Sequence, residues 1–344
     1  MTTSTIPMKK SNVALIITIL LALAGISAWI YQLIVGMQTT GLGQQVVWGL
    51  YIAAFFTAVG AGAGLLILTG VSEFIPFFPV TTRARNLVLA LTSFIIGALL
   101  IAIDVGNPIQ IWRVITAFRF SSSMVWDFWL LIAAGVVALI YLLLGKGAKP
   151  HTILAILGIL AGTAVVITES WMLSMEAAHA HPLWGSGLIV INFLLGAVIS
   201  GMSIALIAGR TDIRFISWLQ AALWLSLAFV LLETVTGLVS ESDEIGLILI
   251  GSAAPAFWLQ IIVGLLLPIV LLVRKTYLWL AGILAVFGVL AERLWTLAAG
   301  QAIPRQALPQ GSYFPSWVEL ISVIGLVALG MLVYRLLTMI FKPE

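Results

Sequence analysis

VVWGLYIAAFFTAVGAGAGLLIL (46–68), LLIAIDVGNPIQIWR (99–113) and SSSMVWDFW (121–129) are the stretches whose reading decides how this chain folds. Each belongs to an apolar run of about 20 residues, the length that crosses a hydrocarbon core as an α-helix. Yet Asp104 and Asp127 stand where hydrocarbon or its edge is expected, with Arg113 between them in sequence. The stretch from Trp48 to Asp127 therefore reads as the centre of a membrane-embedded reaction site.

Working outward, the whole chain has the same character. Hydrophobic residues make up 62% of its 344 positions and charged residues 8%, and no globule has enough interior to hide that much apolar surface. Apolar runs recur ten times, at roughly 13–35, 46–70, 86–106, 124–144, 152–174, 183–208, 215–240, 251–273, 276–299 and 317–341. The expected fold is an all-α polytopic membrane protein of about ten transmembrane helices, with little sequence left for a soluble domain. Lys9, Lys10 and the later Ala22-Leu23-Ala24 resemble a cleavable signal peptide. The apolar run continues past Ala24, so it is read as a retained first helix.

Orientation follows from Lys and Arg counted loop by loop. One side carries Lys9, Lys10, Arg83, Arg85, Lys146, Lys149, Arg210, Arg214, Arg274, Lys275, Arg335 and Lys342, twelve in all. The other carries four, Arg113, Arg119, Arg293 and Arg305. Both termini are expected in the cytoplasm, in a multi-pass protein of the cytoplasmic membrane. The acids run the opposite way, with ten of thirteen toward the outside. The pI of 9.3 thus reports topology and gives no support for nucleic-acid binding. Cysteine is absent, which excludes a cysteine-ligated iron–sulfur cluster in this protein. Of the three histidines, His151 lies at the inner edge and His179 and His181 in an outer loop, so no helical pair is placed to clamp a haem. No metal site is expected, and metal carriers of electrons would belong to another subunit.

Weak internal repeats are also readable. A shift of 136 lays Trp48, Gly49 and Gly60 on Trp184, Gly185 and Gly196; a shift of 129 lays Asp104 on Glu233; a shift of 123 lays Glu169 on Glu292. Segments 2–5 and 6–9 are expected to form two four-helix bundles in parallel topology. The division is 1–45 (first helix and outer loop), 46–180 (first bundle), 181–300 (second bundle) and 301–344 (outer loop and last helix).

An ionisable group inside a bilayer costs about 2.5–3.5 kcal/mol on insertion scales, so it marks a function or a buried partner. At about 1.5 Å per residue, Asp104 lies roughly 27 Å along its segment, in the outer third. Glu169, Glu233 and Glu292 fall at similar depth, and Asp127 about one turn into its helix from the outside. Five carboxylates thus share one level. They are suited either to proton exchange or to pairing with Arg113, Arg119, Arg293 or Arg305. Trp48, Tyr51, Phe55, Trp112, Trp126, Phe128, Trp129 and Trp171 surround that level, as stacking surfaces for a flat ring or as interfacial anchors. Gln110–Ser123 forms an outer lid or a plain connection.

The Trp-Gly-x10-Gly run of segment 2, the Ile-Asp-Val-Gly-Asn-Pro end of segment 3 with Trp112-Arg113, the serine-rich approach to Asp127 and the second Trp-Gly at 184–185 resemble the NrfD or polysulfide-reductase membrane-subunit family. The resemblance covers segments 2–9. The ten-helix form is similar to membrane subunits of some hydrogenases and of alternative complex III. It implies a respiratory anchor without its own prosthetic group, exchanging electrons between menaquinone or ubiquinone and a ferredoxin-like iron–sulfur subunit on the outer, periplasmic side. A molybdopterin or other catalytic subunit is implied beyond that. Asp104 matches the acid ending segment 3, and Asp127 stands where relatives often have glutamate. Some members carry a histidine in segment 2 near the quinone headgroup, where this sequence has Phe55. Headgroup bonding is then expected from Tyr51, Asn107, Arg113 or His179, with Trp126 and Trp171 alongside.

The resulting expectation is a quinone-reactive subunit in which Asp104 and Asp127 take up quinol protons and Glu169 relays them outward. Two alternatives stay open. One is a proton-translocating subunit that also uses Glu233 and Glu292, which a polar path through the inner half would favour. The other is a secondary transporter, for which helices broken at the midplane are expected.

Overall fold

A computed structural model describes residues 7–75, 77–117, 119, 121–147, 149–177, 182–185, 187–209, 212–240, 243–303 and 311–343. Among the described residues the regular elements are all helical, and ten helices are long and apolar enough to cross a membrane. They are α1 (Pro7–Val35), α2 (Leu50–Val71), α3 (Arg83–Asp104), α4 (Ser123–Leu144), α5 (Thr152–Ala177), α6 (Leu188–Ile207), α7 (Ile213–Val239), α8 (Ala254–Val273), α9 (Leu278–Ala302) and α10 (Trp317–Phe341). Short connections run them up and down. The starts of α2, α4, α6 and α10 and the ends of α1, α3, α5 and α9 thus gather at one end of the bundle, called here the acidic end after Asp104, Asp127 and Glu169.

The core is built on α2, whose side chains are buried almost throughout. Between apolar helices in lipid, small residues let backbones approach and dispersion replaces the hydrophobic drive. Gly64 lies against the Ala197 carbonyl of α6, and Gly201 of α6 packs on the Gly64–Leu65 backbone. A Cβ on Gly62 would meet the Phe94 ring of α3 at 2.8 Å, and one on Gly70 would meet the Ala155 carbonyl of α5 at 2.6 Å. The glycine-rich run of the sequence is therefore the contact surface of the central helix. At the periphery α1 and α10 cross at Gly25 and Gly325, where a Cβ on Gly25 would lie 2.5 Å from the Gly325 Cα.

The helix boundaries depart from the apolar runs where distant residues supply the caps. Trp48 and Gly49 precede α2, because Gln301 Oε1 of α9 accepts from the Val47 and Trp48 amides at 2.9 and 3.0 Å. The Tyr313 hydroxyl accepts from the Leu50 amide at 2.7 Å. Those amides are the donors that a helix start leaves unpaired. The segment expected as a lid contains a short helix, Trp112–Ala117, and a second short helix, Asp243–Leu249, precedes α8.

Within α8, residues Leu259–Leu266 form a π-helical stretch. Pro268 lacks an amide hydrogen and its ring crowds the carbonyl four residues back, which is Gly264. The wider π turn relieves that crowding while Gly264 packs onto Gly288 of α9.

At the opposite, basic end, Arg83 and Glu73 form a buried ion pair at 2.7 Å. Arg83 also donates to the carbonyls of Gly145, Gly147 and Lys149, and Glu73 accepts from the Tyr141 hydroxyl at 2.8 Å. The basic side chain thus holds the connection that follows α4.

Candidate functional site

The acids that sequence depth placed at one level separate into distinct environments. The first is built on Asp104, the last residue of α3, which is half-buried; its Oδ1 has no hydrogen-bond partner among the described residues. The fully buried Tyr51, second residue of α2, donates its hydroxyl to Gln32 Oε1 of α1 at 2.6 Å. Gln32 in turn directs Nε2 toward the Ile103 carbonyl at 3.4 Å and the Met37 sulfur at 3.2 Å. The polar groups acting on the Tyr51 hydroxyl from other helices are Ser322, Glu319 and Asp104.

Glu319 is wholly buried at the start of α10. It completes a capping box with Ser316 and accepts from Tyr313 Oη at 2.6 Å and the Gly41 amide at 2.7 Å. Gln32 thus links α1 and α2 to the Ile103 carbonyl, one residue before Asp104.

The second environment joins α4, α5 and α9. Asp127 is 6% exposed and Glu169 1%, and each has one carboxylate oxygen without a hydrogen-bond partner among the described residues. The charged neighbours of Glu169 are Asp127 and Arg293. Arg293 is itself buried, pairs with Glu292 at 3.2 Å, and lies 3.6 Å from the centroid of the Phe193 ring. Its Nη2 reaches the Asn192 and Phe193 carbonyls at 3.3 Å, in space left by Gly196 of α6. Charge therefore continues from α4 through α5 to α9. A lone acid in this interior would be expensive, and the single guanidinium serves two of them.

The other expected site residues lie apart from these groups. Phe55 is buried in the core against Phe56, their ring centroids 5.4 Å apart, so it is not open to the surrounding lipid. Tyr51 is equally enclosed, ring and hydroxyl alike. Asn107 and Arg113 are exposed on the connection after α3, where Arg113 donates to Gln110 at 3.2 Å. Trp126 and Trp171 are partly exposed on α4 and α5. Glu233 accepts from Asn192 at 3.4 Å, and His179 lies outside the described residues. Trp48 stacks on Trp184 at 5.9 Å, so the two Trp-Gly turns meet face to face at the acidic end. No group of three or more His, Cys, Asp or Glu side chains suited to a metal occurs among the described residues.

Sequence reasoning missed Gln32, Tyr313 and Glu319. Gln32 stands alone in an apolar run, Trp29–Val35, where an amide needs a partner. Ser316-x-x-Glu319 is a capping box readable from the sequence alone.

Comparison with known proteins agrees with this architecture. The sequence is 27% identical to a protein of Halobacterium salinarum named as a dimethyl sulfoxide reductase membrane subunit, over 91% of its own length and 87% of that protein. It is 27% identical to the Hdr-like menaquinol oxidoreductase integral membrane subunit of Archaeoglobus fulgidus, over 93% and 90% of the two proteins. It is 25% identical to a polysulfide reductase polypeptide of Wolinella succinogenes, over 74% of its own length and 95% of that protein. The family model described as polysulphide reductase, NrfD, matches residues 38–305, and the chain is a polytopic membrane protein belonging to the NrfD family.

Proposed function

We propose that this protein is the quinone-reactive membrane subunit of a multi-subunit respiratory oxidoreductase, set in the cytoplasmic membrane with both termini inside. The observation carrying this reading is that Asp104 and Asp127, near the acidic ends of α3 and α4, each keep a carboxylate oxygen free of donors among the described residues. Acceptors in such a setting suit the two hydroxyls of a menaquinol or ubiquinol, the bound substrate. The names of the relatives, a menaquinol oxidoreductase subunit and a reductase membrane subunit, support the same class.

In the oxidising direction, quinol gives up two protons and two electrons. The protons pass to Asp104 and Asp127, directly or through water, and Glu169 relays them outward. The electrons leave singly to an outer iron–sulfur subunit, which hands them to a molybdopterin or other catalytic subunit. The reverse sequence reduces quinone. The division into two four-helix bundles, 46–180 and 181–300, belongs to the same proposal.

The test compares wild-type complex with Asp104→Asn and Asp127→Asn, following binding of a quinol analogue and quinol-driven reduction of the partner clusters. Each change is expected to slow cluster reduction by about 10²-fold, the scale of lost acid–base participation, with the complex still assembled. Unchanged binding and reduction in both variants would remove this site from consideration.

A proton-translocating role has one specific support. Toward the basic end, Thr69, Asn86, Ser200 and Ser203 are buried and each keeps a side-chain oxygen without a partner among the described residues. Buried polar atoms of this kind are normally bridged by internal water. Proton uptake from the inner side by reconstituted complex, abolished in a Ser200→Ala/Ser203→Ala double variant, would favour translocation; turnover without such uptake would favour the electroneutral reading.

A further inference from the structure

Arg83 reverses the polarity of the loop between α4 and α5. It donates to the carbonyls of Gly145, Gly147 and Lys149 at 2.8, 3.0 and 3.2 Å, so three oxygens that a surface loop would show to its surroundings point into the protein. The carbonyl and the amide of one planar trans peptide face opposite ways. The Lys146 amide, which shares its peptide with the Gly145 carbonyl, therefore faces outward, and it has no acceptor among the described residues. Lys146 and Lys149 are both exposed, and neither has an ion pair among the described residues. The outer side of the loop thus presents donors and positive charge.

The acid packed against this loop does not neutralise the lysines. Both oxygens of Glu73 are engaged, Oε1 by Arg83 and the Tyr141 hydroxyl and Oε2 by the His151 amide at 3.2 Å. Arg83, Lys146 and Lys149 against Glu73, three cations against one carboxylate, leave a local charge of +2. The helix ends do not alter it, since the end of α4 and the start of α5 carry about −0.5 and about +0.5 of a charge and meet at the same loop. Room for a ligand lies outside. Gly147 is left-handed at φ +85°, and a Cβ there would meet nothing within 4 Å among the described residues. On the adjoining helix turns Leu144 and Ile153 are 64% and 76% exposed, apolar side chains at the level where lipid chains begin.

We propose that the α4–α5 loop binds the phosphate headgroup of an anionic phospholipid in the leaflet at the basic end, with Lys146, Lys149 and the Lys146 amide as donors and Arg83 as the residue that holds them in place. A phosphate diester offers acceptors only, and its charge strengthens each bond that it receives. Outward amides beside fixed cations suit such a group, and basic sites at helix ends hold anionic headgroups by the same chemistry. Because Arg83 already orders the loop, little further freedom is lost on binding. The site lies at the opposite end of the bundle from Asp104 and Asp127 and does not depend on the quinone-reactive reading.

The experiment uses assembled complex in neutral detergent and phosphatidylglycerol labelled in an acyl chain, with phosphatidylcholine carrying the same label for comparison. Wild type is expected to bind phosphatidylglycerol saturably and about thirtyfold more tightly than phosphatidylcholine, the scale of two lysines at a membrane surface. Lys146→Gln/Lys149→Gln should erase that difference. Arg274→Gln/Lys275→Gln removes two exposed cations from the turn before α9 at the same end and should leave the preference in place. Equal binding of the two lipids by wild type overturns the proposal. So does an equal loss in both double variants, which would mean diffuse surface charge. Arg83→Lys keeps every charge but releases carbonyls to the outer side, and should weaken phosphatidylglycerol about tenfold, the scale of one charge-assisted hydrogen bond; unchanged affinity there overturns the role of Arg83 in building the site. Inorganic phosphate separates the headgroup from a free anion. Phosphatidylglycerol should slow tryptic cutting after Lys146 in wild type and phosphate should not, and protection by phosphate alone overturns the lipid assignment.

Discussion

Glu292 Oε1 and Arg293 Nη1 lie 3.2 Å apart although the two residues are consecutive on one helix. Neighbouring residues of an α-helix do not face each other, so the guanidinium must fold back to meet the carboxylate. The Phe193 ring and the Asn192 and Phe193 carbonyls hold it there. Replacing one member of a buried pair strands the other charge, typically at about 3–5 kcal/mol. Arg293→Gln is therefore expected to lower the unfolding temperature in detergent well below wild type, and Glu292→Gln/Arg293→Gln less so. A single variant as stable as the double would show that Arg293 does not carry the buried acids.

The Tyr313 hydroxyl links the loop before α10 to the start of α2. It donates to Glu319 at 2.6 Å and accepts from the Leu50 amide at 2.7 Å. Burial, and after it the Glu319 carboxylate, raises the Tyr313 phenol well above its ordinary value of 10.0. A raised folded-state value means that the bound proton stabilises the fold fully below the unfolded value, near pH 10, and that this contribution is lost progressively as pH rises beyond it. Tyr313→Phe should be less stable at neutral pH by about 1–3 kcal/mol and should lose less stability than wild type on going to pH 11. Hydrogen exchange at the Leu50 amide, faster in Tyr313→Phe, reads the same contact locally; unaltered exchange there would contradict it.

Arg83 donates to three carbonyls of the connection after α4 while paired with Glu73. A lysine keeps the charge but not the fork of donors needed for several carbonyls at once. Arg83→Lys is expected to loosen the connection after α4, so trypsin should cut after Lys146 several-fold faster at the scale of one or two lost charge-assisted hydrogen bonds, the Lys149-Pro150 bond being resistant to trypsin in either form. Equal cutting of wild type and Arg83→Lys would mean that the loop is held by other contacts.

The helices and the depth of the acids could be read from the sequence because both depend on local quantities, apolar run length and rise per residue. Asp104 and Asp127 were placed near the acidic end on that basis. Their separation into two environments was not legible, because it depends on which way each helix face turns, and packing against other helices sets that. Asp104 has Glu319, from a helix far away in sequence, as its charged neighbour. Glu169 meets Arg293 in the same way. Trp48 and Gly49 read as helix because they continue an apolar run; the helix starts after them because the Val47 and Trp48 amides are capped by Gln301, some 250 residues distant. The π stretch of α8 had a local sign, Pro268 within an apolar run, but its position depends on Gly264 meeting Gly288.

Glycines of the central helices give the sharpest contrast between positions that look alike in sequence. Gly64 of α2 faces the Ala197 carbonyl of α6, and backbone at that spot has no flexible tip that can swing aside. An added methyl group must push α2 and α6 apart, with an overpacking cost of about 1–3 kcal/mol. Gly135 of α4 also lies within a helix, but a Cβ there meets nothing within 4 Å among the described residues. Removing the backbone freedom of a helical glycine stabilises by up to about 1 kcal/mol. Gly64→Ala should therefore lower the unfolding temperature and the yield of folded protein, while Gly135→Ala leaves both unchanged or slightly raised. Gly60→Ala is the discriminating intermediate, since its Cβ would lie 3.7 Å from the Ala197 Cα, an ordinary contact. If Gly60→Ala and Gly64→Ala are equally damaging, the loss reflects glycine as a residue type in α2 rather than the approach of α2 to α6, and the packing described for the centre of the bundle would need revision.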